Sequence, residues 1–276
     1  MKMDYSEITN KYKALNRLIE TLGLSIEDFK GSEVTQSEQY AIMIGKKILN
    51  HCISVVNISK SQTYIFSNKT RVEFVDFPSI AVITRSIVES YLAFNHIFIN
   101  VKSDSESKFK WLVYDFAGYL ERQTFKANLP ANVLVKEQEA QAIVVLRKEI
   151  KANPHFQNFT SKQQKQLLER ENWKLFNRWG DLAKAAGYNV ESFNQTYKFL
   201  CSYVHSGRLS ILQILDAHKH GNEINLVNSN INTCCGALAK YINDLGSLIP
   251  SLKKIYEKDS LNKLTVDTWV KFGEKI

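Results

Sequence analysis

Apolar side chains return every three to four residues along most of this chain, the spacing that places them on one face of an α-helix. From Tyr5 to about Leu22 the stripe is Ile8, Tyr12, Leu15, Leu18, Ile19 and Leu22, with Gly23 expected to close the helix. Ser37–Ser59 reads as a second, more buried helix through Ile42, Ile44, Ile48, Leu49, Cys52, Val55 and Val56. Pro78, just behind Asp76, opens a third that runs to about Asn100 through Ile80, Ile83, Ile87, Tyr91, Phe94 and Phe98. The chain holds only 4 prolines, at positions 78, 130, 154 and 250, and each falls beside an expected helix boundary. The expectation is an all-α, multi-helix bundle of long antiparallel helices.

The remaining helices follow by the same reasoning. Ser103 or Ser105 caps one that passes Trp111, Tyr114, Asp115, Gly118 and Phe125 before Pro130. Others are expected over 132–152, 181–186, 190–207, 209–218, 229–248, 252–258 and 266–273. Residues 61–76 carry β-prone Tyr64, Ile65, Phe66, Val72, Phe74 and Val75 around Asn68-Lys69, so a short hairpin or an extended loop fits, the loop being preferred. Beyond Pro154 the composition turns to Gln, Lys, Asn and Glu. The reading is one helical domain over 1–276, with a looser subdivision near 153–172.

With 44% hydrophobic and 23% charged residues the chain can build a sizeable core. Cys52, Cys201, Cys234 and Cys235 include no C-x-x-C pair and read as reduced core thiols. The polar start MKMDYSEITNKYK has no leader-like apolar region, and no uncharged apolar run reaches 18 residues, so a cytoplasmic protein without a membrane partner is expected. The net charge of +8 is spread along the chain rather than gathered in a block. It permits RNA or another polyanion as partner, although a solvated basic surface explains it as well. A protein partner and a homo-oligomer are equally compatible. No P-loop, dinucleotide-binding, zincin or nucleophile-elbow motif occurs, and no cofactor is expected.

A few polar residues stand where core residues belong. Arg85 and Glu89 lie one turn apart in an otherwise Ile, Val, Tyr and Phe stretch. They form either an ordinary surface ion pair or a pair aimed into a cleft. His205 ends the segment YKFLCSYVH, where a helix C-terminus favours its protonated form, and it suits an acid, a base or an anion-binding group as well as a structural cap. Cys201 shares its face, but two ligands do not make a zinc site, and no metal is expected. Asp216, His218 and His220 read as a basic helix end, because the two histidines point 200° apart on a helix. The Trp111/Tyr114/Phe116 and Trp173/Phe176/Trp179 sets read as core packing before base stacking.

Arg85-x-x-x-Glu89 on a long helix, followed more than a hundred residues later by Tyr197, Ser202 and His205, resembles the uncharacterised bacterial helical proteins of the domain-of-unknown-function family 5677. The Trp173 to Gly187 segment is a vaguer match. The resemblance implies an all-α fold in which Arg85, Glu89 and His205 converge, with no activity attached. A more distant resemblance is to the HEPN helical bundles, many of them RNA-cleaving toxins or defence proteins that use an Arg and a His on one helix. This chain departs from that pattern: Lys198 stands seven residues before His205, followed by Phe199. Two expectations follow. One is a bacterial defence or stress protein acting on RNA or another phosphate ester, with Arg85, Glu89 and His205 in the catalytic set and Tyr197, Ser202 and Arg208 on the substrate. The other is a binding or regulatory module in which the same residues form a structural polar network.

Overall fold

The computed structural model describes residues 9–205 and 207–275. They form twelve α-helices, a π-helical turn, a 3₁₀ turn and a two-stranded hairpin. The chain divides into two compact units: residues 1–94 with 179–276, and residues 95–178. The segment 153–172 lies inside the second.

In the first unit, α1 (Lys11–Asp28) starts at Asn10, whose side chain accepts from the backbone N–H groups of Tyr12 and Lys13. The expected stop at Gly23 is a correction: α1 runs through it. Ser25 and Ile26 extend the buried stripe, and a Cβ added at Gly23 would meet nothing nearer than Leu49 at 3.8 Å. Helix α2 (Gln36–Ile58) opens on a capping box between Thr35 and Glu38. It is long and apolar enough to cross a membrane by length and composition, yet Ile48, Cys52 and Val55 are fully buried within the unit.

The preferred loop at 61–76 is also corrected. Strands β1 (Gln62–Ile65) and β2 (Arg71–Phe74) pair antiparallel, Tyr64 opposite Val72 and Gln62 opposite Phe74. Lys69 takes the left-handed conformation in the turn (φ 67°), and Asn68 Oδ1 accepts the N–H of Thr70. The side-chain amide of Asn68 thus supplies a turn signal that Gly usually gives.

Helix α3 (Phe77–Phe94) begins where Asp76 Oδ1 accepts from Ser79 N–H. After α7 (Trp179–Ala185), Gly187 turns the chain at φ +77° into α8 (Val190–Val204), which Asn189 caps through the N–H of Ser192. Then come α9 (Arg208–His220), α10 (Glu223–Leu248), α11 (Pro250–Tyr256) and α12 (Ser260–Gly273). The centre is α10, which packs against α1, α2, α3, α11 and α12. Its Tyr241 is fully buried, lies 4.7 Å from the Phe94 ring and donates to the Ala41 carbonyl at 2.8 Å. Gly45 makes room for that ring, since a Cβ there would collide with the phenol.

In the second unit a π-helical turn (Asn95–Ile99) leads to α4 (Asp104–Thr124), capped by Ser103 as expected. Helix α5 (Pro130–Ala152), a 3₁₀ turn (Pro154–Asn158) and α6 (Ser161–Glu169) follow. Its core joins Phe109, Leu112, Val113, Phe116, Ile143, Ile150, Phe156 and Leu167.

Candidate functional site

Helix α3 carries both charged residues of the expected site on one face, because positions four apart are separated by only about 40° around a helix. Arg85 Nε donates to Glu89 Oε1 at 2.8 Å, with the side chains 17% and 26% exposed. Helix α8 packs along this flank and presents Tyr197, Cys201 and His205 at successive four-residue steps. Tyr197 Oη donates to the same Glu89 oxygen at 2.6 Å and accepts from Arg85 Nη2 at 3.3 Å. The three groups therefore close a ring of hydrogen bonds between two helices. Trp179 on α7 lies 6.2 Å from the Tyr197 ring, and Phe193 stacks on that ring at 5.5 Å.

His205 completes the cluster from the end of α8. Its backbone N–H bonds the Cys201 carbonyl at 3.2 Å, and its Nε2 lies 3.5 Å from Arg85 Nη1. The ring itself is exposed. An Arg N–H can only donate, so this approach suits a neutral imidazole with its lone pair at Nε2.

The electrostatics follow from half-burial. Burial pulls the Arg85 guanidinium toward neutrality, but the bonded Glu89 carboxylate outweighs it and holds Arg85 charged above its ordinary range. Burial, then the Glu89 hydrogen bond and negative charge, push the Tyr197 phenol well above its ordinary value, so it stays a donor. A small void beside Tyr197, lined by Val88, Tyr188, Phe193, Leu200 and Thr233, is apolar and offers no polar pocket.

Arg85, Glu89, Tyr197 and His205 are thus brought together across a sequence separation of up to 120 residues. Ser202 is not part of the ring: its hydroxyl donates back to the Phe199 carbonyl at 2.7 Å. Arg208 is exposed at the start of α9 and bonds no other described side chain. Asp216 lies 3.6 Å from His220, while His218 turns to Glu223 at 3.9 Å, so these groups point apart. Among the described residues no three His, Cys, Asp or Glu side chains gather as a metal site. Of the aromatic sets, Phe116 is fully buried, and Trp111, Tyr114 and Trp173 pack on one another within the second unit.

One polar pair escaped the sequence reading. His51 on α2 has its Nε2 3.2 Å from Ser86 Oγ on α3, next to Arg85 in the chain but on the other flank of the helix. Burial, with Lys47 one turn away, lowers its affinity for a proton. The i,i+4 pair Lys47/His51 was the available signal, and the apolar stripe around it hid it.

No curated protein matches the chain, and no solved structure does. The model of a family described as "Family of unknown function (DUF5677)" matches residues 52–224, a segment that holds Arg85, Glu89, Tyr197 and His205. The chain belongs to the DUF5677 family.

Proposed function

We propose that this protein acts on a phosphate ester, RNA being the leading substrate class, at the Arg85–Glu89–Tyr197–His205 cluster, in a bacterial defence or stress role. The carrying observation is the 3.5 Å approach of Arg85 Nη1 to His205 Nε2 with the imidazole open to solvent. A guanidinium kept charged by Glu89 attracts a phosphoryl oxygen and stabilises the charge that grows on it. The neighbouring neutral imidazole takes a proton from the attacking hydroxyl or water, and returns it to the leaving oxygen. Glu89 and Tyr197 hold the guanidinium in place, and exposed Arg208, three residues after His205 in the chain, supplies a second positive charge.

A second reading is favoured by one observation, the sharing of Glu89 Oε1 by Arg85 and Tyr197. A ring of mutual hydrogen bonds spends much of the cation's donor capacity and fixes how α3 and α8 pack, which is what a structural lock does.

The deciding comparison is wild type against His205→Gln for cleavage of single-stranded RNA and of bis(p-nitrophenyl) phosphate, with growth inhibition on expression and thermal stability measured in parallel. Activity lost with stability retained supports the catalytic reading. Wild type inert on both esters returns the cluster to the structural role.

A further inference from the structure

Helix α3 has a strip open to solvent between two covered flanks. Val82 is 38% exposed, and Ser86 and Glu89 are half-buried on the same side. On one flank lies α8, reached by Arg85 and Glu89 through Tyr197 and His205. On the other lies α2, reached by Ser86 through His51. Arg85 and Ser86 are consecutive and point about 100° apart, so their side chains leave the strip toward different neighbours, Arg85 toward α8 and Ser86 toward α2.

The α2 flank has the composition of an anion subsite. Lys47 is exposed, makes no ion pair among the described residues and sits one turn from His51, whose proton affinity its charge helps to lower. Ser86 offers a hydroxyl. Among the described residues no carboxylate pairs with Lys47, His51 or Ser86; Glu89, the nearest acid along α3, is turned to Arg85 and Tyr197.

We propose that the exposed strip of α3 is the floor of a two-phosphate track, so that the substrate is a single-stranded oligonucleotide with one phosphate at Arg85 and His205 and a second at Lys47 and Ser86. This rests on the phosphate-ester reading of the α8 flank. A single phosphate seated at Arg85 and His205, against α8, leaves Lys47 and Ser86, against α2, unused. Successive phosphates of a nucleic-acid strand are separated by a whole sugar, which lets one sit on each flank with Val82 beneath the sugar and base. Phosphate contacts of this kind give affinity that falls with salt, because each neutralised phosphate releases counterions.

The test follows the histidine ring protons by NMR while inorganic phosphate or a uridine hexanucleotide is added to the full-length protein. Phosphate is expected to move the His205 signal alone. The hexanucleotide is expected to move both His205 and His51 and to raise the pH at which His51 titrates. Lys47→Ala, an exposed change, is expected to weaken the hexanucleotide several-fold at low salt and to reduce the slope of log affinity against log salt by about 0.7, leaving phosphate binding intact. A hexanucleotide that moves only His205, with the salt slope of Lys47→Ala unchanged, overturns the track and leaves the α8 flank standing. If neither ligand moves His205, the phosphate-ester reading fails and the track falls with it.

Discussion

Arg85 and Tyr197, 112 residues apart, hold the same carboxylate oxygen of Glu89, one from its own helix and one from across the interface. The order Arg before Glu is the weaker arrangement for an isolated i,i+4 pair, so the tyrosine is what makes this contact strong. Removing the carboxylate leaves a half-buried guanidinium without its counter-charge. Glu89→Ala is therefore expected to destabilise the protein by about 1–3 kcal/mol, and Tyr197→Phe by about 1 kcal/mol, both read from urea unfolding. In the Arg85→Met/Glu89→Leu double variant the loss should be smaller than the two single losses added, as coupling requires.

Gly45 faces the phenol of Tyr241, and a methyl group there has nowhere to go because the ring is fully buried and its hydroxyl is tied to the Ala41 carbonyl. Gly45→Ala should cost about 1–3 kcal/mol despite its better helix propensity. A melting temperature equal to or above wild type would contradict this packing.

His96 is 4% exposed in the π-helical turn, and among the described residues its Nε2 has no hydrogen-bond partner. Burial, reinforced by the Lys110 charge, lowers its pKa to about 4, while Glu106, paired with Lys110 at 3.0 Å, and the Trp173 backbone pull the other way. The folded state thus binds this proton less readily than the unfolded chain. Stability from this group is complete above about pH 6.5 and falls as pH drops toward 4, by up to about 3 kcal/mol. In a pH series of denaturant unfolding, His96→Leu should flatten that limb.

Cys52, Cys234 and Cys235 are buried, and burial raises each thiol, Cys234 to about 12, whereas Cys201 is half-exposed beside His205. A disulfide reagent such as Ellman's is expected to titrate one thiol in the native protein and all 4 after unfolding. Rapid native reaction of a second thiol would show that the α10 core opens.

Helix type was legible because period and proline placement agree, as at Pro78 and Pro130, whereas the short polar helix Ser161–Glu169 carries too thin an apolar stripe to announce itself. The hairpin was not, since Lys69 takes a left-handed turn position that glycine normally marks. Gly23 misled for the opposite reason: a glycine ends a helix only when the apolar stripe ends with it, and here Ser25 and Ile26 continue it. Arg85, Glu89 and His205 could be named from sequence because they interrupt apolar stripes. Tyr197 entered through family resemblance alone, because nothing in α8 distinguishes a tyrosine that bridges two charges from one that fills space. The inward turn of Ser202 depends on a rotamer, which spacing cannot reveal.

The unit that holds the cluster is built from two stretches of chain, with residues 95–178 between them. Contacts such as Arg85 to Tyr197 therefore form only after a long loop has closed, an event that slows folding. During synthesis the first half of the site leaves the ribosome well before the second, so α3 must wait with its apolar face uncovered until α8 and α10 arrive. Nascent chains stalled before residue 190 should on that account be strong clients for chaperones that bind exposed hydrophobic helices.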